Sequence, residues 1–193
     1  MKARVIRHRD LVRVPWKNGG GTTAEVAAFP EGSSFENFSW RISMADVASD
    51  GPFSVFPGID RTLILVEGGD LELEVEGIVY TLDGTSPKLS FSGDDMTCGR
   101  LSSGPIRDLN VMTRREQFRH HTRFVESGVA LLSEQTVTAF LVVLDGSLDV
   151  TLGSTIHSLQ RLDTLALEAT HDLILLSGNG RMILIEIAPD ASP

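Results

Sequence analysis

The feature that most constrains this chain is a phrase it uses twice. Leu63-Ile64-Leu65-Val66 runs into Glu67-Gly68-Gly69-Asp70 and out through Leu71-Glu72-Leu73-Glu74-Val75. Later, Leu141-Val142-Val143-Leu144 runs into Asp145-Gly146 and out through Ser147-Leu148-Asp149-Val150-Thr151-Leu152. Each copy is an apolar strand, an acidic-glycine turn and a strand that alternates apolar with polar residues. This pattern predicts a hairpin whose glycine relieves the cost of positive φ at the turn. A further strand follows each copy: Ile78-Val79-Tyr80-Thr81-Leu82, closed by Asp83-Gly84-Thr85-Ser86-Pro87, and Ile156-His157-Ser158-Leu159. Gly68 and Gly146 mark equivalent points. A repeat of this length is too long for a small-repeat solenoid. Two copies of a small β-barrel or sandwich fit it.

Helix signals are sparse. Residues 7–14 and 114–121 are each expected to hold a short helical turn. Gly178-Asn179-Gly180 is a turn, and Arg181-Met182-Ile183-Leu184-Ile185-Glu186-Ile187 reads as a last, largely buried strand. Residues 189–193 are expected to fray. No linker rich in Pro, Gly or Ser divides the chain, so the lobes are expected to be joined tightly between residues 113 and 133. The expected division is 1–115 and 116–193, all-β throughout.

At 193 residues the chain can bury a full core without staples. The net charge of −9 argues against a nucleic-acid partner, which needs a basic face. It leaves room for an anionic small ligand, because a few local arginines can dominate a pocket. The single cysteine, Cys98, cannot pair internally, which fits a reducing compartment. The first ten residues lack the apolar stretch of a signal peptide, and no run approaches the roughly 18 apolar residues of a membrane span. The expected location is cytoplasmic, with no membrane partner.

Two dense blocks carry more than a core strand needs. One is Pro15-Trp16-Lys17-Asn18-Gly19-Gly20-Gly21-Thr22-Thr23-Ala24-Glu25; the other runs from Phe38-Ser39-Trp40-Arg41-Ile42-Ser43-Met44-Ala45-Asp46 to Asp50-Gly51-Pro52-Phe53. If the segments around Thr23, Arg41 and Asn110 are strands, alternation places Thr23 with Glu25, Arg41 with Ser43, and Asn110 with Asp108, Met112 and Arg114. Three strands would then each offer a polar face. A barrel interior lined this way is costly to desolvate unless paired internally or filled by a polar ligand. Arginine is the natural partner of a carboxylate because its fork gives two parallel hydrogen bonds. The candidate cations are Lys17, Arg41 and Arg61. Asn18, Thr23, Ser43 and Asn110 are the candidate hydrogen-bonding side chains, with Glu25 beside them. Trp16, Trp40 and Met112 are candidate pocket walls. A structural ion pair between Arg41 and Glu25 is the plainer alternative.

Other chemistry is poorly supported. There is no His-X-His pair, and the first repeat holds no histidine. His120 and His121 are neighbours that would point to opposite faces of a strand. His8, His157 and His171 read with them as surface or boundary residues, so no metal site and no cofactor are expected. Cys98 has no basic partner beside it except Arg100, and no Gly-X-Ser-X-Gly phrase exists. Gly19-Gly20-Gly21-Thr22-Thr23 lacks the spacing of a phosphate loop.

Several phrases resemble the HutD/Ves family: Pro15-Trp16-Lys17-Asn18 with Gly21, Thr23 and Glu25; Trp40-Arg41-Ile42-Ser43; Asp50-Gly51-Pro52-Phe53-Ser54; Phe56-Pro57-Gly58-Ile59-Asp60-Arg61; and Asp108-Leu109-Asn110-Val111-Met112-Thr113-Arg114. Ala24 stands where relatives carry a basic residue. The resemblance implies a bicupin, two small antiparallel β-barrels of jelly-roll type in one chain. It also implies a place in bacterial histidine utilisation, binding N-formyl-L-glutamate or urocanate and so limiting the pathway. Two other functions compete: a hydrolase or isomerase on the same metabolite, with Glu25 or Asp46 as general base, and a protein-interaction module that meets a transcriptional regulator. An exposed strand edge would allow a homodimer.

Overall fold

The computed structural model describes residues 3–130, 132–133, 136–168 and 174–190. Among them the chain is β-structure almost throughout. β1 (Ala3–Ile6) is followed by a 3-10 turn at His8–Asp10. β2 (Arg13–Pro15), β3 (Gly21–Phe29), β4 (Trp40–Val47) and β5 (Gly51–Pro52) come next. The first copy of the repeat is β6 (Ile59–Glu67), β7 (Leu71–Val75), β8 (Ile78–Leu82), β9 (Lys88–Ser92), β10 (Thr97–Leu101) and β11 (Ile106–Arg114). After β12 (Phe118–Val125) and β13 (Gly128–Ala130) comes the second copy. It comprises β14 (Thr138–Asp145), β15 (Ser147–Leu152), β16 (Thr155–Gln160), β17 (Thr164–Glu168), β18 (Ile174–Gly178) and β19 (Arg181–Pro189). The helical turn expected within 114–121 is absent, because β11 turns directly into β12 through residues 115–117.

The chain divides into two units: Val12–Gln117, and Phe118–Pro193 together with Met1–Leu11. The expected division at 115/116 therefore differs at the start of the chain, where β1 pairs with β17 and completes the second unit. The first unit has a large sheet ordered β2-β3-β4-β11-β6-β9 and a small sheet ordered β5-β10-β7-β8. The second has β1-β17-β14-β19-β12 and β13-β18-β15-β16. The duplication is visible strand by strand: β6 lies between β11 and β9 as β14 lies between β19 and β17, and β7 between β10 and β8 as β15 between β18 and β16. Each unit is a sandwich of two separately bonded sheets rather than a barrel closed by continuous pairing.

Each sandwich has its own core. In the first, Ala45, Val47, Leu63, Leu65 and Ile106 of the large sheet meet Leu71, Leu73 and Val75 of the small one. Leu63, Leu71 and Leu73 are fully buried, which is worth about 2 kcal/mol each. In the second, Leu141, Val143, Leu165, Met182 and Leu184 meet Leu148, Val150, Leu159 and Ile174.

The hairpin expected around Gly68 is not one. β6 pairs with β11 and β9, while β7 pairs with β10 and β8, so the chain crosses from one sheet to the other at this turn. Gly146 marks the same crossing from β14 to β15. The glycines serve close approach as well as φ. Gly68 has φ +105, and an added Cβ would lie 2.6 Å from the Pro105 carbonyl oxygen and 2.8 Å from Ile106 Cα. Gly146 has φ +72 and meets Gly180 and Asn179 in the equivalent place. Gly68→Ala is therefore expected to cost about 2–4 kcal/mol in urea unfolding, from strain plus overpacking. Gly104→Ala, with φ +88 and nothing within 4 Å, should cost only about 1 kcal/mol. Equal losses would contradict the close-packing account.

Candidate functional site

Strand register decides which side chains meet. In the first unit Ala45 of β4 stands beside Asp108 of β11, which faces Leu65 of β6. The next row inward-facing on the same side is Ser43, Asn110 and Leu63, and the next is Arg41, Met112 and Arg61. On β3, Thr23 is opposite Ala45 and Glu25 opposite Ser43. Ala45, Leu63 and Leu65 belong to the core that packs on the small sheet, so this whole face looks into the sandwich. The interior is apolar at the Val47 end and becomes cationic at the Arg41–Arg61 end.

The two arginines are nearly inaccessible, Arg41 at 7% and Arg61 at 4%. Arg41 Nη2 lies 3.3 Å from Glu25 Oε2 at the rim, and its guanidinium sits 3.8 Å over the Phe35 ring. Arg61 donates from Nη1 to the Ser54 carbonyl oxygen at 3.1 Å. Its guanidinium carbon lies 5.0, 5.3 and 5.9 Å from the ring centroids of Phe91, Phe56 and Phe53. Those rings hold the cation by quadrupole attraction while excluding water. Met112 stands between the arginines in register and packs with Phe38, Ile59 and Phe56.

Below this end lies Asp108, fully buried. Burial, more than the opposing pull of Arg61, pushes its carboxyl up to about 7, and Asp46 adds a smaller upward push. Burial also lowers the Arg61 guanidinium to about 10, against the Asp108 charge. Burial lowers Arg41 too, with Glu25 opposing. At about 10, Arg61 stays cationic at neutral pH.

Five buried atoms on this face have no hydrogen-bond partner: Arg41 Nε, Arg61 Nε, both Asp108 carboxylate oxygens and Asn110 Oδ1. A buried unsatisfied polar atom costs about 1–3 kcal/mol, and more when charged, so such a concentration calls for an explanation. The second unit shows that the fold does not require it. Counting back from Gly146 as from Gly68, and across the matching ladders, Ala139 stands at the position of Arg61, Met182 at that of Asp108 and Leu184 at that of Asn110. Among the described residues, a charged group facing that second interior is Glu186, at the position of Met112, and it is satisfied by the Ser133 amide at 2.6 Å, Thr136 Oγ1 at 3.1 Å and Arg123 Nε at 3.4 Å.

Of the residues singled out from sequence, Glu25, Arg41, Ser43, Arg61, Asn110 and Met112 come together on this face. Thr23 shares the face but accepts a 2.7 Å hydrogen bond from the Trp16 indole, a structural tie. Lys17 and Asn18 are exposed in the loop before β3, beside the Val47 end, and Asn18 Oδ1 accepts from the Gly20 amide at 3.1 Å. Arg41 and Val47 are six positions apart, about 20 Å along a strand, so Lys17 and Asn18 do not join the arginines. Trp16 and Asn18 instead line a small cleft at the Val47 end, with Phe53 and Leu101. Trp40 is corrected outright. Alternation sends it to the opposite face from Arg41, where it stacks on Phe29 at 5.9 Å. Sequence reasoning put Asp108 on the face of Asn110 but not among the candidate site residues, and it missed the phenylalanines. Asp108 shares the parity of Asn110, which was signal enough; Phe53 and Phe56 come from the segment before β6 and Phe91 from β9, and no one periodicity joins them.

Residues 12–117 contain no histidine. His8, His120, His121 and His157 belong to the second unit, and His171 lies outside the described residues. Carboxylates each opposed by a guanidinium suit an anion better than a divalent cation. Asp46, the alternative general base, faces the other way. It is bound by Arg107 at 2.6 Å and Arg13 at 3.3 Å, and their hydrogen bonds and charges hold its carboxyl below its ordinary value despite partial burial. No helix among the described residues is long and apolar enough to cross a membrane.

The chain is similar to several known proteins. The HutD family model matches residues 8–184. An uncharacterized 21.2 kDa protein in the hutC 3′ region of Pseudomonas putida is 31% identical over 184 residues, covering 95% of this chain and 96% of that one. Protein Ves of Citrobacter koseri is 31% identical over 188 residues, covering 92% of each. The solved structure of HutD from Pseudomonas fluorescens SBW25, in a formate condition, superposes with a TM-score of 0.84 at 32% identity, covering 98% of this chain and all of that one. The oxalate decarboxylase of Lactobacillus farciminis, at 6% identity and a TM-score of 0.66, shares the fold alone, a cupin-type β-sandwich.

Proposed function

The chain belongs to the HutD family, and on that premise we propose that its first unit binds a small carboxylated metabolite of histidine breakdown, N-formyl-L-glutamate before urocanate. The observation that carries this reading is the pair of buried arginines with unpartnered Nε groups, where the duplicated unit has alanine in place of Arg61 and satisfies its own buried carboxylate, Glu186, with protein donors. The Cα atoms of Arg41 and Arg61 are two strand spacings apart, about 10 Å, with Met112 between them in register, a separation that matches the two guanidiniums to the two carboxylates of one small ligand. Asn110 and Ser43, one row deeper, offer a polar floor for the formamide. The P. putida relative's position beside hutC supports a role in controlling histidine use, with a transcriptional regulator as the partner that reads the bound state.

The test is calorimetric titration with N-formyl-L-glutamate, with urocanate and glutamate as comparators. Saturable heat with formylglutamate, stronger than with glutamate, is the expected result. No heat with any of the three would sink the reading, and heat that continues in proportion to protein would favour turnover over binding.

Glu25 gives a second handle. It neutralises Arg41 from the rim, so an incoming carboxylate must compete with it. The pair is partly exposed and screened, worth about 0.2–1 kcal/mol. Glu25→Gln is therefore expected to tighten binding by up to about fivefold. Weaker binding would mean that Glu25 itself holds the ligand.

A further inference from the structure

The first interior contains two guanidiniums, Arg41 and Arg61, and two carboxylates, Glu25 and Asp108, so with all four ionised its charges cancel. A dianionic ligand would bring two further negative charges to the same arginines. Glu25 sits at the rim with 38% of its side chain exposed and can turn to solvent. Asp108 is at the floor, fully buried, with neither oxygen hydrogen-bonded, and has nowhere to go. An ionised Asp108 beneath a bound carboxylate would place two like charges around Arg61 in a medium of low dielectric, which disfavours the ionised form.

We propose that binding of a dianionic carboxylate in the first unit is coupled to uptake of one proton by Asp108, whose neutral acid then faces the occupied site. This deepens the carboxylate-binding reading above and rests on it. Once protonated, Asp108 is a donor on the same strand face as Asn110, whose Oδ1 is a buried acceptor without a partner. The groups around Asp108 support the coupling. From β6, Arg61 favours the ionised form, and a ligand that takes up its charge removes that support. From β4, Asp46 disfavours the ionised form, while Arg41 and, from β3, Glu25 stand two rows and one row further along. The small sheet and β9 present apolar side chains, including Leu71, Leu73, Leu89 and Phe91. No histidine lies between residues 12 and 117 to take the proton instead. The free protein already holds Asp108 close to its titration point at neutral pH, so little is needed to tip it.

Calorimetric titration with N-formyl-L-glutamate in HEPES and in Tris, from pH 6 to pH 8, tests this. The two buffers differ in ionisation enthalpy, and the ligand's own carboxyls do not titrate in this range. A group titrating near 7 is about one-tenth protonated at pH 8 and about nine-tenths at pH 6. Uptake should therefore be close to 0.9 proton at pH 8 and about 0.1 at pH 6, with affinity falling up to tenfold per unit above pH 7. Asp108→Asn mimics the neutral acid and should bind with buffer-independent heat and a flat pH profile, at pH 8 no more weakly than the parent. Saturable binding with buffer-independent heat in the parent overturns this inference and leaves carboxylate binding standing. So does coupling that persists in Asp108→Asn, or loss of binding by a folded Asp108→Asn. Absence of saturable heat at every pH overturns the carboxylate-binding reading and this inference with it.

Discussion

Replacing Arg61 with alanine is expected to lower affinity for N-formyl-L-glutamate by about 30-fold or more. Truncating one partner of a buried charged pair costs about 2–5 kcal/mol of binding, and a factor of ten is about 1.4 kcal/mol. The side chain is 4% exposed, ringed by Phe53, Phe56 and Phe91, and tied to Ser54, so it is already held in position before any ligand arrives. The change also removes the cation beside Asp108, which is expected to destabilise the first unit by about 3 kcal/mol. Ala139 at the equivalent place in the second unit shows that alanine itself is compatible with the strand. Calorimetry and urea unfolding separate the two effects. Affinity within threefold of the parent would remove Arg61 from the binding site.

Asp108→Asn should act in the opposite direction on stability. The Asp108 carboxyl titrates near 7 in the folded chain against 3.8 for an unperturbed aspartate. Between those values the folded state binds more protons than the unfolded one. Stability therefore falls as pH rises from about 4 to about 7, and stays at the lower level above that. Asparagine removes the charge at every pH, so the variant should exceed the parent by up to about 4 kcal/mol above pH 7, with the gap closing towards pH 4. Urea unfolding at pH 8, 6 and 4.5 measures it. A variant no more stable than the parent at pH 8 would mean that Asp108 is paired or solvated in the folded protein. A group that lowers stability at the working pH of its own fold is what a binding site requires and a core does not.

Much of this was legible in the residues. The recurrence around Gly68 and Gly146 announces the duplication, and the ladders match strand for strand. Alternation alone puts Arg41 with Ser43 and Asn110 with Met112. Hydrophobic periodicity could not separate a hairpin from a crossing between sheets, because both need a glycine at positive φ; the strand pairing tells them apart, with β6 bonded to β11 and β9 and β7 to β10 and β8. The same alternation that placed Arg41 inward excludes Trp40, which its aromatic character had suggested as a wall. Lys17 and Asn18 sit in the same dense block as Thr23, yet the strand carries them to the far end. The aromatic surround of Arg61 is assembled from Phe53 and Phe56 in the segment before β6 and Phe91 in β9, and no local pattern ties those three together.

The most direct measurement follows the arginine Nε–Hε resonances by NMR while N-formyl-L-glutamate is added. The account predicts that two resonances, lost in Arg41→Lys and Arg61→Lys respectively, shift downfield together and saturate as their unpartnered Nε groups gain a carboxylate. Saturable shifts confined to arginines of the second unit, such as Arg123, with Arg41 and Arg61 unmoved, would contradict it.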